Sequence, residues 1–389
     1  MVMSRRLIRF FHAWLESPLV RSVGMSHRAL IASLLAALVG STGPAFAADK
    51  LVNLYSWSGY ISAGVLEDFT RTTGIKTALE AYETRAEADV KLRAGGTDRD
   101  IVVLSAEPYL DGGIKAGLYQ PLDPAKTAIL ANQDPAVTKL LQSAGFPSGS
   151  AAVYLWGTIG LAYNVEQLKK RLPDVPANTY ALLFDPRYAK KLGGCGIGLI
   201  DDPLVVLPMA LRYLGIDPNK AVQADWERAA AVVTKIRPHV KTIDSTTLVS
   251  DLVAKKLCLA TEWNGDAVQA ANRAKSAQPP VAIDYVLPKE GGLAFADGIA
   301  IPKGAPHPEA AYAFINYLFQ PRVIAQTASE FGYANAVPAS QPFLYPVLAG
   351  DPRIFPPDEV KARLTLVKPL PPDLQLVVDQ LWAEVKAAQ

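Results

Sequence analysis

The chain reads as an α/β protein of two lobes with a ligand cleft between them. Three observations predict this. Its 389 residues exceed what one ordinary core accommodates. Strand-like runs alternate with helix-like ones, the pattern of a largely parallel sheet covered by helices. One apolar stretch, Ala151 to Asn164, is longer than a mean strand and is placed to carry the chain from one lobe to the other.

The elements follow in order. Leu51 to Ser56 is a strand. Val65, Leu66 and Phe69 fall at helical spacing, and Gly74 is a natural helix stop. Ile75 to Leu79 reads as a strand and Arg85 to Arg93 as a short helix. Ile101 to Leu104 is a buried strand. Ala151 to Asn164, with Gly157 and Gly160 inside it, reads as a strand pair. The second lobe then opens with a strand at Gly196–Ile200. Helices follow near 203–214, 224–236 and 245–254, then a strand at Cys258–Glu262 and a helix at Ala267–Ser276. Val281–Leu287 and Ala294–Ile301 are extended and return the chain to the first lobe. Ala311, Phe314, Ile315 and Leu318 define an amphipathic helix from Pro308 to Phe319. Proline pairs at 356–357 and 371–372 mark the starts of two last helices. The expected division is 48–155 plus 281–328 for the N-terminal lobe and 156–280 plus 329–389 for the C-terminal lobe.

Residues 1–47 are set apart as a secretory signal. Met25 to Arg28 is a positive start, Ala29 to Gly40 is apolar apart from Ser33, and Ala45-Phe46-Ala47 presents small residues for cleavage after Ala47. Residues 1–24 are an upstream extension or a long first part of the same signal. Removing 1–47 takes away Arg5, Arg6, Arg9, Arg21, Arg28 and Glu16, leaving 34 basic against 36 acidic residues. A net charge of −2 gives no electrostatic footprint for nucleic acid. The two cysteines, Cys195 and Cys258, lie in the exported part, where disulfides persist. They form one bridge or two buried thiols.

Several enzyme classes lose their support here. No phosphate loop, dinucleotide fingerprint or nucleophile elbow occurs; the glycines from Gly193 to Gly198 miss the required spacing. After residue 47 only His239 and His307 remain, so neither a histidine metal site nor a Ser-His-Asp triad is expected, and no cofactor.

What remains is a set of polar and aromatic residues at strand ends: Trp57, Ser58 and Tyr60; Ser105 and Glu107; Asp201 and Asp202; Trp263 and Asp266 after Glu262; Phe295 and Asp297; and Tyr333. Rings with carboxylates, and no partnering Arg or Lys, suit an alkylammonium. Rings pack on its methylenes and add about 0.5–2 kcal/mol of cation–π attraction per good contact. Carboxylates accept charge-assisted hydrogen bonds from its ends. The plainer reading makes Asp266, and either Asp201 or Asp202, helix N-caps and the rings packing residues.

The motifs carrying these residues resemble the putrescine- and spermidine-binding receptors of polyamine ABC transporters. Leu54–Ile61 is similar to the family's opening N-W-S-D-Y-I, Trp156–Asn164 to its crossover segment, and Trp263–Arg273 to its W-A-G-D element; Tyr312–Leu318 and Tyr333–Ala336 match as well. The resemblance implies a type II periplasmic-binding-protein fold. It implies an aromatic box of Trp57, Trp263, Phe295 and Tyr333. It places the ammonium ends at Asp266 and Asp297, helped by Ser58, Tyr60 and Ser105. It puts Cys195 and Cys258 at the positions of a disulfide in the putrescine branch. It implies a monomer in the periplasm that hands its ligand to inner-membrane permease subunits.

Two departures stand out: the acid of the opening motif is Gly59 here, and a second acid falls at Val205. Asp202, Glu107 and Glu262 are the candidate replacements. Two other readings stay open. A zwitterion such as γ-aminobutyrate would fit the space left by the missing acids but needs a carboxylate donor. A periplasmic enzyme acting on amines would use Asp266 or Asp297 as general base.

Overall fold

A computed structural model describes residues 51–83, 85–95, 98–143 and 149–388. The expected signal, residues 1–47, lies outside them. The sheet path runs β2-β1-β3-β9-β4-β7-β5-β6, and three short strands attach beside it. The strands are β1 (Leu51–Trp57), β2 (Lys76–Tyr82), β3 (Ile101–Ser105), β4 (Ala152–Asn164), β5 (Ile197–Leu199), β6 (Val240–Ile243), β7 (Leu259–Trp263), β8 (Ile283–Val286), β9 (Leu293–Ala300), β10 (Ala334–Asn335) and β11 (Thr365–Leu366).

Local sequence explains the elements. The helix Ala63–Thr73 starts where the Ser62 hydroxyl accepts from the Val65 N–H at 3.4 Å, and it stops at Gly74, which takes φ 75°. Its Val65 and Phe69 face the core. All five residues of β3 are buried. The helix Pro308–Leu318 buries Ala311, Phe314, Ile315 and Leu318, the stripe its spacing predicts.

Two parallel wings flank an antiparallel centre. β2, β1 and β3 are parallel on one side, and β7, β5 and β6 on the other. β9 is antiparallel to both β3 and β4, and β4 is antiparallel to β7. Within the 151–164 segment, Ala152–Asn164 is one continuous strand of 13 residues, not a strand pair. It stays unbroken because it is paired along its whole length, with β9 from Ala152 to Ile159 and with β7 from Ile159 to Tyr163.

Register then fixes where the wings meet. Ser105 ends β3 opposite Asp297, which is itself opposite Leu155. Trp263 ends β7 opposite Ile159. Both wings therefore run toward the middle of β4 and bring their carboxyl ends together there. That is where small molecules bind in open α/β sheets.

The cores divide at the same place. One holds Ile159, Leu161 and Ala162 of β4 with β5, β7, β8 and the buried Trp226 and Trp382. The others hold Ala152 to Trp156 with β1, β3 and most of β9. Ala334, Ala336, Val337, Leu344, Leu348, Ile354 and Leu366 pack with the β1–β3 cores, whereas Val378, Trp382 and Val385 pack with the other. A Cys195–Cys258 disulfide ties the starts of β5 and β7.

Candidate functional site

Asp297 is the centre of the candidate site. Phe295 and Asp297 are two apart on β9 and so share a face. Ser105 is the cross-strand neighbour of Asp297, and its hydroxyl donates to one carboxylate oxygen at 2.9 Å. The Tyr60 hydroxyl donates to the other at 2.8 Å. Asp297 is 5% exposed. Two hydroxyls thereby orient its carboxylate.

Tyr60 comes from the loop after β1 and is fixed from behind. Tyr154 donates its hydroxyl to the Tyr60 carbonyl at 2.8 Å and meets its ring edge-on at 5.5 Å. Phe331 lies 5.6 Å from the same ring. Burial, then the Asp297 charge, raises the Tyr60 hydroxyl well above its usual value, so it stays a donor.

Tyr333 links the two halves. Its ring meets Phe295 edge-on at 5.4 Å and Tyr60 at 6.3 Å. Burial first, then the neighbouring Asp266 charge, raises the Tyr333 hydroxyl well above its usual value. Burial pushes the Asp266 carboxyl up from its usual value, and the Tyr333 hydroxyl and the Arg273 charge offset part of this. Asp266 is not an N-cap. The helix runs Asn264–Lys275, three residues earlier than its sequence suggests, so Trp263 is the cap position and Asp266 sits in the first turn.

Gly265 makes the Tyr333 contact possible. A Cβ there would lie 2.5–2.7 Å from three Tyr333 ring carbons. Gly265→Ala is expected to displace that ring, lowering stability by about 1–3 kcal/mol despite the better helix propensity of alanine. Chemical denaturation measures the loss. A ligand titration should show weakened binding in the same variant.

The remaining expected residues are placed as follows. Trp263 and Phe295 each pack against both the β5/β7 core and a β1–β3 core. Trp57 is half-buried and its ring lies tilted against Tyr82, centroids 4.8 Å apart, with no ring contact to Phe295 or Tyr333 among the described pairs. Ser58 is exposed. The Asp202 carboxylate accepts from the Leu204 N–H at 2.8 Å as the N-cap of Pro203–Tyr213. Asp201 instead receives Trp382 and Lys386. The side chain of Glu107 is outside the described set. Glu262 is fully buried beside the site.

Both departures are visible in the backbone. Gly59 takes φ 64° with open space around it. Val205 is 4% exposed and belongs to an apolar core. Sequence reading passed over Tyr154, Phe331 and Gly265. Only the small residue between Trp263 and Asp266 carried a signal, since a glycine in a first helical turn implies a close approach. Among the described residues, no group of three His, Cys, Asp or Glu side chains is arranged to hold a metal.

Two converging sheet wings with a ring-lined acidic centre define a solute-binding protein. The chain belongs to the bacterial extracellular solute-binding protein family, whose profile matches residues 64–356. It is therefore a binding protein and not an enzyme, which closes the amine-acting enzyme alternative. It is 35% identical to the putrescine-binding periplasmic protein PotF of Escherichia coli over 362 residues, covering 92% of this chain and 97% of that protein. It is also 35% identical to the putrescine-binding periplasmic protein SpuD of Pseudomonas aeruginosa over 364 residues, covering 93% and 98%. Its fold is similar to that of the spermidine/putrescine ABC transporter substrate-binding protein PotD of Streptococcus pneumoniae, with TM-score 0.75 and 22% identity, over 87% of this chain and 99% of that one. The type II periplasmic-binding-protein fold implied by the motifs is thus the fold observed.

Proposed function

We propose that this chain is a periplasmic receptor that holds a small cationic amine of the putrescine/spermidine class and delivers it to an inner-membrane ABC permease. The observation that carries the reading is the Asp297 carboxylate, gripped by the hydroxyls of Tyr60 and Ser105 beneath the rings of Tyr60, Phe295 and Tyr333. Hydroxyl donors orient a carboxylate for a cation without cancelling its charge. Asp266, across the Tyr333 ring, takes the second ammonium end. Trp263 and Trp57 cover the methylenes, and Ser58 lines the rim. The names of the curated relatives agree with this ligand class and with a periplasmic site. No described helix is long and apolar enough to cross a membrane.

The lobes of this receptor follow the cores. Residues 51–156 with 294–366 form one, and 157–293 with 367–388 the other. This differs from the sequence-based division at 281–293, where Ile283 and Tyr285 pack with β7, and at 329–366, where Leu348 and Ile354 pack with β3. Closure of the two lobes as a monomer buries the ligand and presents a joint surface to the permease.

A thermal-shift panel of putrescine, cadaverine, agmatine, spermidine, γ-aminobutyrate and amino acids on residues 48–389 tests the assignment. A ligand at 100 times its Kd adds about 2.7 kcal/mol, so the right amine gives a clear shift. The expected result is a shift with diamines and none with neutral amino acids. A larger shift with γ-aminobutyrate would transfer the assignment to a zwitterion.

A further inference from the structure

Glu262 is a buried acid that the site as described leaves unused. It stands opposite Gly160 in the β4–β7 ladder, one residue before Trp263. On that face a Cβ at Gly160 would lie 2.9 Å from the Tyr285 hydroxyl. That hydroxyl is engaged with Thr158 at 2.9 Å. Glu262 is 0% exposed. Its Oε1 accepts from the adjacent Trp263 N–H at 3.3 Å, and its Oε2 has no hydrogen-bond partner.

An unpartnered carboxylate so buried is costly, and the group keeps its proton instead. Its titratable neighbours reinforce this. They are Asp266 on the following helix, Tyr285 on β8 and Tyr333 before β10; Arg273 acts on Asp266. Burial first, then the Asp266 charge, holds the Glu262 carboxyl well above its usual 4.5.

We propose that Glu262 is a specificity-determining third acid of the site, which carries its proton while the cleft is empty and releases it when an ammonium group docks against Asp266. The inference rests on the amine-receptor reading. The balance is simple: the Glu262 O–H bond breaks, the proton passes to solvent, and the ammonium keeps its three hydrogens. Asp266 then faces the cation together with a second carboxylate, a charge present only when the ligand is a cation. A ligand carboxylate at this end gains nothing. Glu262 thereby restores, on demand, part of the charge missing at Gly59 and Val205.

Putrescine titrations by calorimetry between pH 5 and 8, in phosphate and in Tris, test this. In the wild-type protein, affinity rises with pH by up to about tenfold per unit, the limit for one released proton. The observed enthalpy differs between the two buffers by the matching proton count. Glu262→Gln, which replaces a neutral acid by a neutral amide of similar shape, flattens the pH profile and lowers the proton count toward zero. The unliganded proteins give a second readout. The folded state binds the extra proton, so above pH 4.5 wild-type stability falls as pH rises toward the raised folded value, and the variant lacks that fall. Amine binding with the same pH profile and proton count in both proteins overturns the inference and leaves the receptor reading intact. Absence of amine binding by the wild-type protein overturns the receptor reading itself.

Discussion

Asp297→Asn is expected to weaken putrescine binding by about 10- to 100-fold while leaving the unliganded protein at least as stable. A hydrogen bond to a charged group contributes about 1.5–3 kcal/mol, which converts to that range. The substitution is nearly isosteric: the amide oxygen still accepts from one of the two hydroxyls, Tyr60 or Ser105, and the amide NH2 donates to the other, which turns to accept. What disappears is the negative charge. Burying that charge at 5% exposure is itself unfavourable, so removing it does not unfold the empty protein. The two effects separate a binding role from a structural one. A structural aspartate loses stability on substitution, whereas this one loses the ligand-induced shift in melting temperature and keeps the baseline. Equal shifts in wild type and variant would remove Asp297 from the amine site.

The same residue shows how far the sequence reaches. Phe295 and Asp297 at i and i+2 on a strand must share a face, so their alliance was legible. The partnership of Asp297 with Ser105 was not, because it depends on the β3–β9 register between residues 192 positions apart. Most element positions were legible for similar local reasons. Ser62 and Gly74 punctuate the first helix, and Ala311 to Leu318 carry a full helical stripe. Two local readings gave way to tertiary context. The 151–164 run looked too long for one strand because an isolated strand of 13 residues has no reason to persist; here its two ends serve different partners. Asp266 looked like a cap because acids precede helices. Instead the helix begins at Asn264, whose side chain accepts the Thr158 N–H and donates to the Arg353 carbonyl, anchoring the first turn to β4. Burial of Glu262 had no signature at all, since a charged residue at a strand end reads as an exposed one.

The second large effect concerns the disulfide and separates folding from binding. Cys195→Ala with Cys258→Ala is expected to lower the unfolding free energy by about 2–4 kcal/mol and to leave amine affinity unchanged. The bridge spans a sequence separation of 63, for which the chain-entropy model gives roughly 4 kcal/mol. The cysteines are already apposed by the sheet in the folded state. Ile197 pairs with Leu259, and the Cys258 N–H donates to the Gly196 carbonyl at 2.9 Å. The crosslink therefore acts mainly by restricting the unfolded chain. Its position predicts the rest. It ties the amino-terminal ends of β5 and β7, while Trp263, a candidate site residue, stands at the carboxyl end of β7. Loosening one end of a hydrogen-bonded parallel pair does not shift residues at the other. Trp226, fully buried in the same core, reports the unfolding by fluorescence in a denaturant titration. A matched shift in midpoint between the double variant and the reduced wild-type protein would confirm the source of the effect. Loss of putrescine affinity at a denaturant-free baseline would instead show that the bridge sets the position of Trp263.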